Sequence, residues 1–180
     1  MIQDELKYCG KKVYIDEHAL IINPEHVEIG DYSYISAFVK IIGSRNGTKI
    51  GRYNHWASFS SVMGGEGVVT GDYISISSHC LFVTSSENYY ESLAGTVPSR
   101  FKVYEKGKIV LRDHVILGAN TTVLPSVTLY EGGATGAFTL VNEDLAPWRL
   151  YCGYPARLLQ VREKDRILAA AEQFSSGGSA

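Results

Sequence analysis

Large aliphatic residues recur at every sixth position along most of this chain. In the second half, Leu111, Leu117, Val123, Leu129, Thr135 and Val141 keep that spacing without a slip, Thr135 being the polar member. In the first half the same beat comes in shorter runs: Ile15 and Ile21; Ile29, Ile35 and Ile41; Ile50, Trp56, Val62 and Val68; Thr70, Ile76 and Phe82. Between runs the register slips at clusters of turn residues such as SRNGT and GGEG. An amphipathic helix repeats every 3.6 residues and a half-buried strand every two, so a period of six suits neither alone. It suits a short strand plus a tight turn, repeated, with one aliphatic residue per unit pointing into a narrow core. A small or β-branched residue often stands four places on (Ser33, Val39, Ser60, Val115, Thr121, Val127, Thr139), and glycine often follows the periodic residue directly, as at Gly30, Gly51, Gly71, Gly118 and Gly136. Such residues permit close backbone approach. No unit buries its own apolar face, so the core must come from stacking them.

Two segments leave the rhythm. From Thr84 it stops for TSSENYYESLAGTVPSRFKVYEKG, residues 84–107, and then resumes. A structureless loop of that length inside a compact repeat points to function. In QVREKDRILAAAEQF, Val161, Ile167, Leu168, Ala171 and Phe174 form a helical stripe, which predicts a helix over 160–174 packed on the repeat or on a neighbouring subunit. SSGGSA, 175–180, reads as a flexible tail. The repeat domain is then 1–159, with 84–107 as its external loop.

Composition narrows the class. The 180 residues suit one domain with a substantial core. A net charge of −2 and the lack of a basic stripe give no reason to expect nucleic acid. No run approaches the roughly 18 apolar residues of a membrane span. The start, MIQDELKYCGKKV, lacks the pattern of a signal peptide, so a cytoplasmic protein is expected. Cys9, Cys80 and Cys152 are odd in number and widely spaced, and read as reduced thiols.

The repeat over residues 13–160 resembles that of the hexapeptide-repeat acyltransferases, whose units read aliphatic, Gly, two free positions, small, one free position. The likeness is strongest from Leu117 to Leu159, where LGANTTVLPSV and the GYPAR ending match the family's last coils. TSSENYYESL, TVPSRF and KGKIVLRDHVILGANTTVLP further resemble acetyltransferases of bacterial surface-polysaccharide clusters. The resemblance implies an all-β fold, a left-handed parallel β-helix with a short C-terminal helix, that handedness being an exception to the usual right-handed crossover. It also implies a homotrimer with sites between subunits, acetyl-CoA as acyl donor, and a sugar as acceptor.

By that resemblance, the backbone at Gly118, Ala119 and Ala137 would meet the pantetheine arm, and Arg157 the CoA phosphates, for which a guanidinium is well shaped. Many relatives carry a lysine where this chain has Glu143, which shifts phosphate binding toward Arg157, Lys164 or a neighbouring subunit. The family's usual catalytic histidine falls on Glu87. A carboxylate is a weak proton acceptor that suits an amine better than a hydroxyl, so the departure tilts the acceptor toward an amino sugar, best matched by a nucleotide-linked one. His79, three places after inward Ile76, should face outward and is the other candidate base. His55, Asn88 and Tyr89 are candidate substrate contacts. His114, His18 and His26 read as corner or surface residues. Transfer would be direct, with a backbone N–H holding the oxyanion. The alternatives are an O-acetyltransferase acting on a galactoside or polysaccharide hydroxyl, a drug-modifying acetyltransferase, and a non-catalytic β-helix assembly module, against which the long loop and GYPAR speak. Zinc, which carbonic-anhydrase-like relatives bind, needs three placed ligands, two of them about five residues apart. His55, His79 and His114 are 24 and 35 residues apart, so no metal is expected.

Overall fold

Each six-residue unit folds as one short strand and one corner. Ile29 closes the strand Val27–Ile29, Ile35 closes Tyr34–Ile35, and Ile41 lies within Lys40–Ile42. Three units complete a coil, and the next coil lies directly on it: Ile29 pairs with Ile50 and Ile35 with Trp56, in parallel. In this computed structural model, which describes residues 2–93 and 95–177, the chain makes about seven turns of a left-handed parallel β-helix. Among the described residues its three faces are sheets of six, eight and six strands.

The core holds two residues per unit, where the sequence pattern alone suggests one. The small residues Ser33, Val39, Ser60, Val115, Thr121, Val127 and Thr139 are as buried as the aliphatic positions. They stand two places before the next aliphatic residue, and a strand presents every second side chain to the same side. Where the small residue is polar it is satisfied: Ser33 Oγ donates to Gly51 O at 2.8 Å, Ser60 Oγ to Ser77 O at 3.0 Å, and Thr121 Oγ1 to Gly118 O at 2.7 Å.

Corners are turned by residues in the left-handed region, and most of these are not glycine. Tyr32, Tyr53, Tyr73, His114 and Trp148 turn the edge between the first and second faces, at φ of 54° to 62°. Holding a side chain there costs about 1–2 kcal/mol each. Coils stand about 4.8 Å apart, a stacking distance, and the rings use it. Tyr32 stacks on Tyr53 at 5.0 Å, Tyr53 on Tyr73 at 5.2 Å, and Tyr73 on His114 at 5.2 Å. Each pair returns about 0.5–1.5 kcal/mol beyond its buried area, comparable to the corner's cost. The edge between the second and third faces has a similar column: His18, Phe38, Phe59 and His79, with centroids 4.9–5.4 Å apart.

The register slips all fall on the remaining edge, between the third face and the first. Residues 23–26, 43–47, 64–67 and 84–108 are successive insertions there. They stack on one another: Ser44 Oγ donates to Gly65 O at 2.6 Å and Asn46 Nδ2 to Glu66 Oε2 at 3.0 Å. Gly67, at φ +85°, passes so close to the coil below that a Cβ would lie 2.4 Å from Gly47 O. Lys108 Nζ ties the return of the longest insertion to Asn46 O at 2.6 Å.

The C-terminal helix spans Lys164–Ser176 rather than beginning at residue 160. Arg157–Val161 is instead a strand, antiparallel to Arg149–Cys152, which closes the end of the prism. Arg162 follows it and donates to His114 O and Gly132 O at 2.9 and 2.6 Å. Of the expected tail, 178–180 lies outside the described residues, while Ser175 and Ser176 belong to the helix. The helix runs back along the tyrosine edge. Lys164 Nζ lies 5.7 Å above Trp148, and Phe174 meets Tyr53 edge-on at 5.2 Å. That reach of three to four coils, at about 4.8 Å each, matches the roughly 15 Å rise of ten helical residues.

Core stacking and helix docking should therefore differ in weight. Leu117→Ala opens a cavity in a sealed coil and is expected to cost about 2–5 kcal/mol. Phe174→Ala removes a half-exposed ring that meets Tyr53 and Tyr73 edge-on and is expected to cost about 1 kcal/mol. Urea unfolding of the two variants beside the parent protein checks the order.

Candidate active site

The long insertion is an arm with its own hydrogen bonds, which corrects its reading as structureless. Ser85–Glu87 leaves the prism and pairs antiparallel with the returning Tyr104–Lys106, Glu87 facing Tyr104. Asn88 N–H donates to Val103 O at 2.8 Å. Ser92 Oγ donates to Val103 O at 2.7 Å and accepts from Val103 N–H at 2.8 Å. At the turn, Asn88 Oδ1 accepts from the N–H of Tyr90 at 2.9 Å, which leaves Tyr89 and Tyr90 at the tip, 90% and 98% exposed. The Tyr89 hydroxyl is 3.1 Å from Ser86 Oγ. Glu87 is half-buried, and its Oε1 lies 3.4 Å from Lys102 Nζ. Glu87, Asn88 and Tyr89 are thus brought together on one element.

A second group of candidates shares the edge between the second and third faces. His79 turns the corner at φ 62° and its ring lies on Phe59 at 4.9 Å, 20° from parallel. No hydrogen bond to its ring nitrogens occurs among the described residues. On the next two coils the corner passes through Gly118-Ala119-Asn120 and Gly136-Ala137-Phe138. Asn120 N–H donates to Ser78 O and Phe138 N–H to Ala119 O, at 3.0 and 2.8 Å. The N–H groups of Ser78, Ala119 and Ala137, one residue before each left-handed corner, have no acceptor among the described residues. They lie on one edge of successive coils, at a coil's spacing of roughly 4.8 Å. The amide of Gly118 is different: it donates to Thr135 O at 3.0 Å and lies 3.2 Å from Thr135 Oγ1. Its contribution is steric, because a Cβ there would lie 2.4 Å from the Gly136 carbonyl carbon.

The remaining candidates stand apart. His55 faces outward on the second face, edge-on to Tyr34 at 5.5 Å, with Nε2 3.3 Å from Ser36 Oγ. Arg157 is exposed at the closed end, its Nη1 donating to Ala156 O at 3.0 Å, with no carboxylate partner among the described residues. Glu143 is exposed. No hydrogen bond or ion pair among the described residues joins the arm of Glu87 to the corner of His79. Sequence reasoning passed over Lys102, which in SRFKVY reads as an ordinary loop lysine, and over the open amide of Ser78, since backbone donors leave no mark in side-chain chemistry.

Among the described residues no cluster of three histidine, cysteine or acidic side chains is arranged to hold a metal, and no helix is long and apolar enough to cross a membrane.

The chain is similar along nearly its whole length to dTDP-4-amino-4,6-dideoxy-D-glucose acyltransferase of Escherichia coli, 32% identical over 163 residues, covering 89% of this chain and 85% of the relative. Among solved structures it is similar to a single-residue variant of AntD, an N-acyltransferase from Bacillus cereus, crystallised with dTDP and coenzyme A. There the TM-score is 0.89 at 32% identity, covering 97% of this chain and 94% of the other. A variant of the same enzyme, with a TM-score of 0.88 at 30% identity and coverages of 97% and 94%, was crystallised with dTDP-4-amino-4,6-dideoxyglucose and coenzyme A. A hexapeptide-repeat acetyltransferase from Vibrio cholerae, 21% identical with a TM-score of 0.60, shares the fold, over 89% of this chain and 76% of its own. No family model matches the sequence.

Cys80, next to His79, is a buried thiol whose Sγ lies 3.3 Å from Gly118 O, and burial pushes its pKa up to about 11. Above the ordinary thiol pKa the folded state therefore keeps it protonated, and at pH 8 only on the order of one molecule in a thousand carries the thiolate. Iodoacetamide at pH 8 is expected to leave Cys80 unmodified in the folded protein and to reach it after unfolding in urea. Peptide mass mapping of the alkylated cysteines checks this.

Proposed function

The chain belongs to the hexapeptide-repeat acyltransferase family, and from that premise we propose that it transfers an acetyl group from acetyl-CoA to the amino group of a nucleotide-linked amino sugar. The observation that carries this reading is the whole-length similarity to an acyltransferase named for a dTDP-linked 4-amino-4,6-dideoxyglucose and to an N-acyltransferase crystallised with that sugar and coenzyme A. The edge of open N–H donors fits a thioester: Ala119 and Ala137 offer a pantetheine arm amides that have no acceptor among the described residues, and Arg157 offers its phosphates a guanidinium that has no carboxylate partner among them. The product would serve a surface polysaccharide, made in the cytoplasm.

In the reaction, the amine lone pair attacks the thioester carbonyl carbon. The new C–N bond forms, the C–S bond breaks, the ammonium proton passes to Glu87 or His79, and the departing thiolate is reprotonated. A free corner amide, Ser78 being the one beside His79, would hold the oxyanion. The buried, protonated Cys80 supports transfer without an acyl-enzyme. Because His79 and Glu87 belong to different edges of one protomer, the site is best completed by a second copy. A trimer is favoured by the apolar edge that Phe38, Phe59 and Phe138 expose, at 52%, 51% and 71%.

Thiol release with acetyl-CoA tests the reading, using dTDP-4-amino-4,6-dideoxyglucose against dTDP-6-deoxyglucose, with 3-hydroxybutyryl-CoA as the competing donor. Turnover is expected with the amine alone. Of Glu87→Gln and His79→Asn, the one that removes the proton acceptor should lower kcat by roughly 10²–10⁴-fold. Arg157→Ala should raise KM for acetyl-CoA with little change in kcat. Turnover confined to the hydroxyl sugar would overturn the assignment. Light scattering should give three times the 19.8 kDa chain mass.

A further inference from the structure

The Lys102 side chain is only 8% exposed, on an arm whose tip is open to solvent. Lysine is rarely buried to that depth without a partner. Its Nζ lies 3.4 Å from Glu87 Oε1 and donates to the carbonyl of Gly95. A Cβ built on Gly95 would stand 3.5 Å from the same Glu87 oxygen. Carboxylate, carbonyl and ammonium therefore meet at one point, and the Tyr104 ring, opposite Glu87 in the ladder, lies 6.0 Å from Nζ. The pairing closes the arm across itself, because Glu87 stands on the outgoing side, Gly95 near the turn and Lys102 on the return.

The two carboxylate oxygens of Glu87 have different surroundings. Oε1 faces the ammonium, whereas Oε2 has no hydrogen bond or ion pair among the described residues. A glutamate side chain with three rotatable bonds is a poor instrument for proton transfer unless something fixes it, and misplacement by an ångström costs on the order of 10²-fold in rate. An ammonium taken out of water strongly favours keeping its counter-charge, so the pair restrains both members.

We infer that Lys102 is a positioning residue: it grips Glu87 through Oε1 and so presents Oε2 to the acceptor amine, while drawing Gly95 and the turn of the arm over the pair. The inference rests on the proposed role of Glu87 as proton acceptor. It assigns Lys102 no contact with either substrate.

Steady-state kinetics with acetyl-CoA and dTDP-4-amino-4,6-dideoxyglucose test it on Lys102→Met, Lys102→Arg, Glu87→Gln and the double variant Lys102→Met/Glu87→Gln, each with its Tm measured. Should Lys102→Met lower Tm, Lys102→Gln takes its place, keeping stem and donor without the charge. Lys102→Met is expected to lower kcat about 10- to 100-fold with KM for acetyl-CoA unchanged within about twofold. Lys102→Arg should recover most of that loss, and the double variant should be no slower than Glu87→Gln alone, because a grip on an absent carboxylate has nothing left to do. Wild-type turnover by Lys102→Met beside an impaired Glu87→Gln would overturn the positioning role and leave Glu87 in place. Losses that multiply in the double variant would show Lys102 acting apart from Glu87. Wild-type turnover by Glu87→Gln would remove the carboxylate's role and the inference together.

Discussion

The distance between hydrogen-bonded strands, about 4.8 Å, sets nearly everything in this molecule, because each coil can bury its apolar face only against the next one. Aliphatic residues six apart meet their own counterparts a coil on, Leu117 under Thr135 and Val123 under Val141. The same spacing lets tyrosines at the corners stack face to face, and this offsets the left-handed backbone that the corners need. The tyrosine column also offers the C-terminal helix an aromatic surface to grip.

That spacing also accounts for the open donors. A corner residue with φ near 60° turns its own amide back to the coil below, as Phe138 does to Ala119. The amide one place earlier is capped where the next coil offers an aspartate, as Asp72 Oδ1 does for the Arg52 N–H at 2.7 Å and Asp113 Oδ1 for the Asp72 N–H at 2.8 Å. Ser78 and Ala119 meet an alanine at that place on the next coil, and among the described residues the N–H groups of Ser78, Ala119 and Ala137 stay without an acceptor, one coil apart along the stack. A ladder of preorganised donors is what a thioester and a developing oxyanion require, and here it follows from the way the solenoid turns.

The repeat was legible because one residue in six must be large and inward, and that demand leaves its mark on nearly every unit. The two-per-unit core was half legible: the small residues at the fifth place were visible in the sequence, yet their inward direction follows only from counting two places forward along a strand. The helix boundary was misplaced because Leu158, Leu159 and Val161 carry apolar character into the capping strand Arg157–Val161, where it merges with the helical stripe that follows. Gly118 looked like a donor because glycine lets a ligand approach, whereas its amide is spent on Thr135. Lys102 gave no signal at all, since a lysine among SRFK reads as solvated until the arm's fold places it 3.4 Å from Glu87.

A solenoid tolerates insertion only where its ladder is already interrupted, and here each slip is confined to the edge between the third face and the first. The earlier insertions form a stacked shelf, with Ser44 on Gly65 and Asn46 on Glu66, and the arm rests on it through Lys108. The prism and the arm therefore answer to different constraints. Donor-side groups are backbone amides, kept by a sequence that keeps the corners and places no capping aspartate beside them, unlike Asp72 and Asp113 on the tyrosine edge. Acceptor-side groups are side chains on an element whose own hydrogen bonds, Ser92 with Val103 and Asn88 with Val103, let it change without disturbing a single coil. Under the proposed reaction this separates a constant acyl donor from a variable acceptor. It also explains why the carboxylate on the arm needs a partner of its own: the arm lacks the coil-on-coil register that fixes the corner, so what the stack supplies to Ala119 and Ala137 must be supplied to Glu87 by an ion pair.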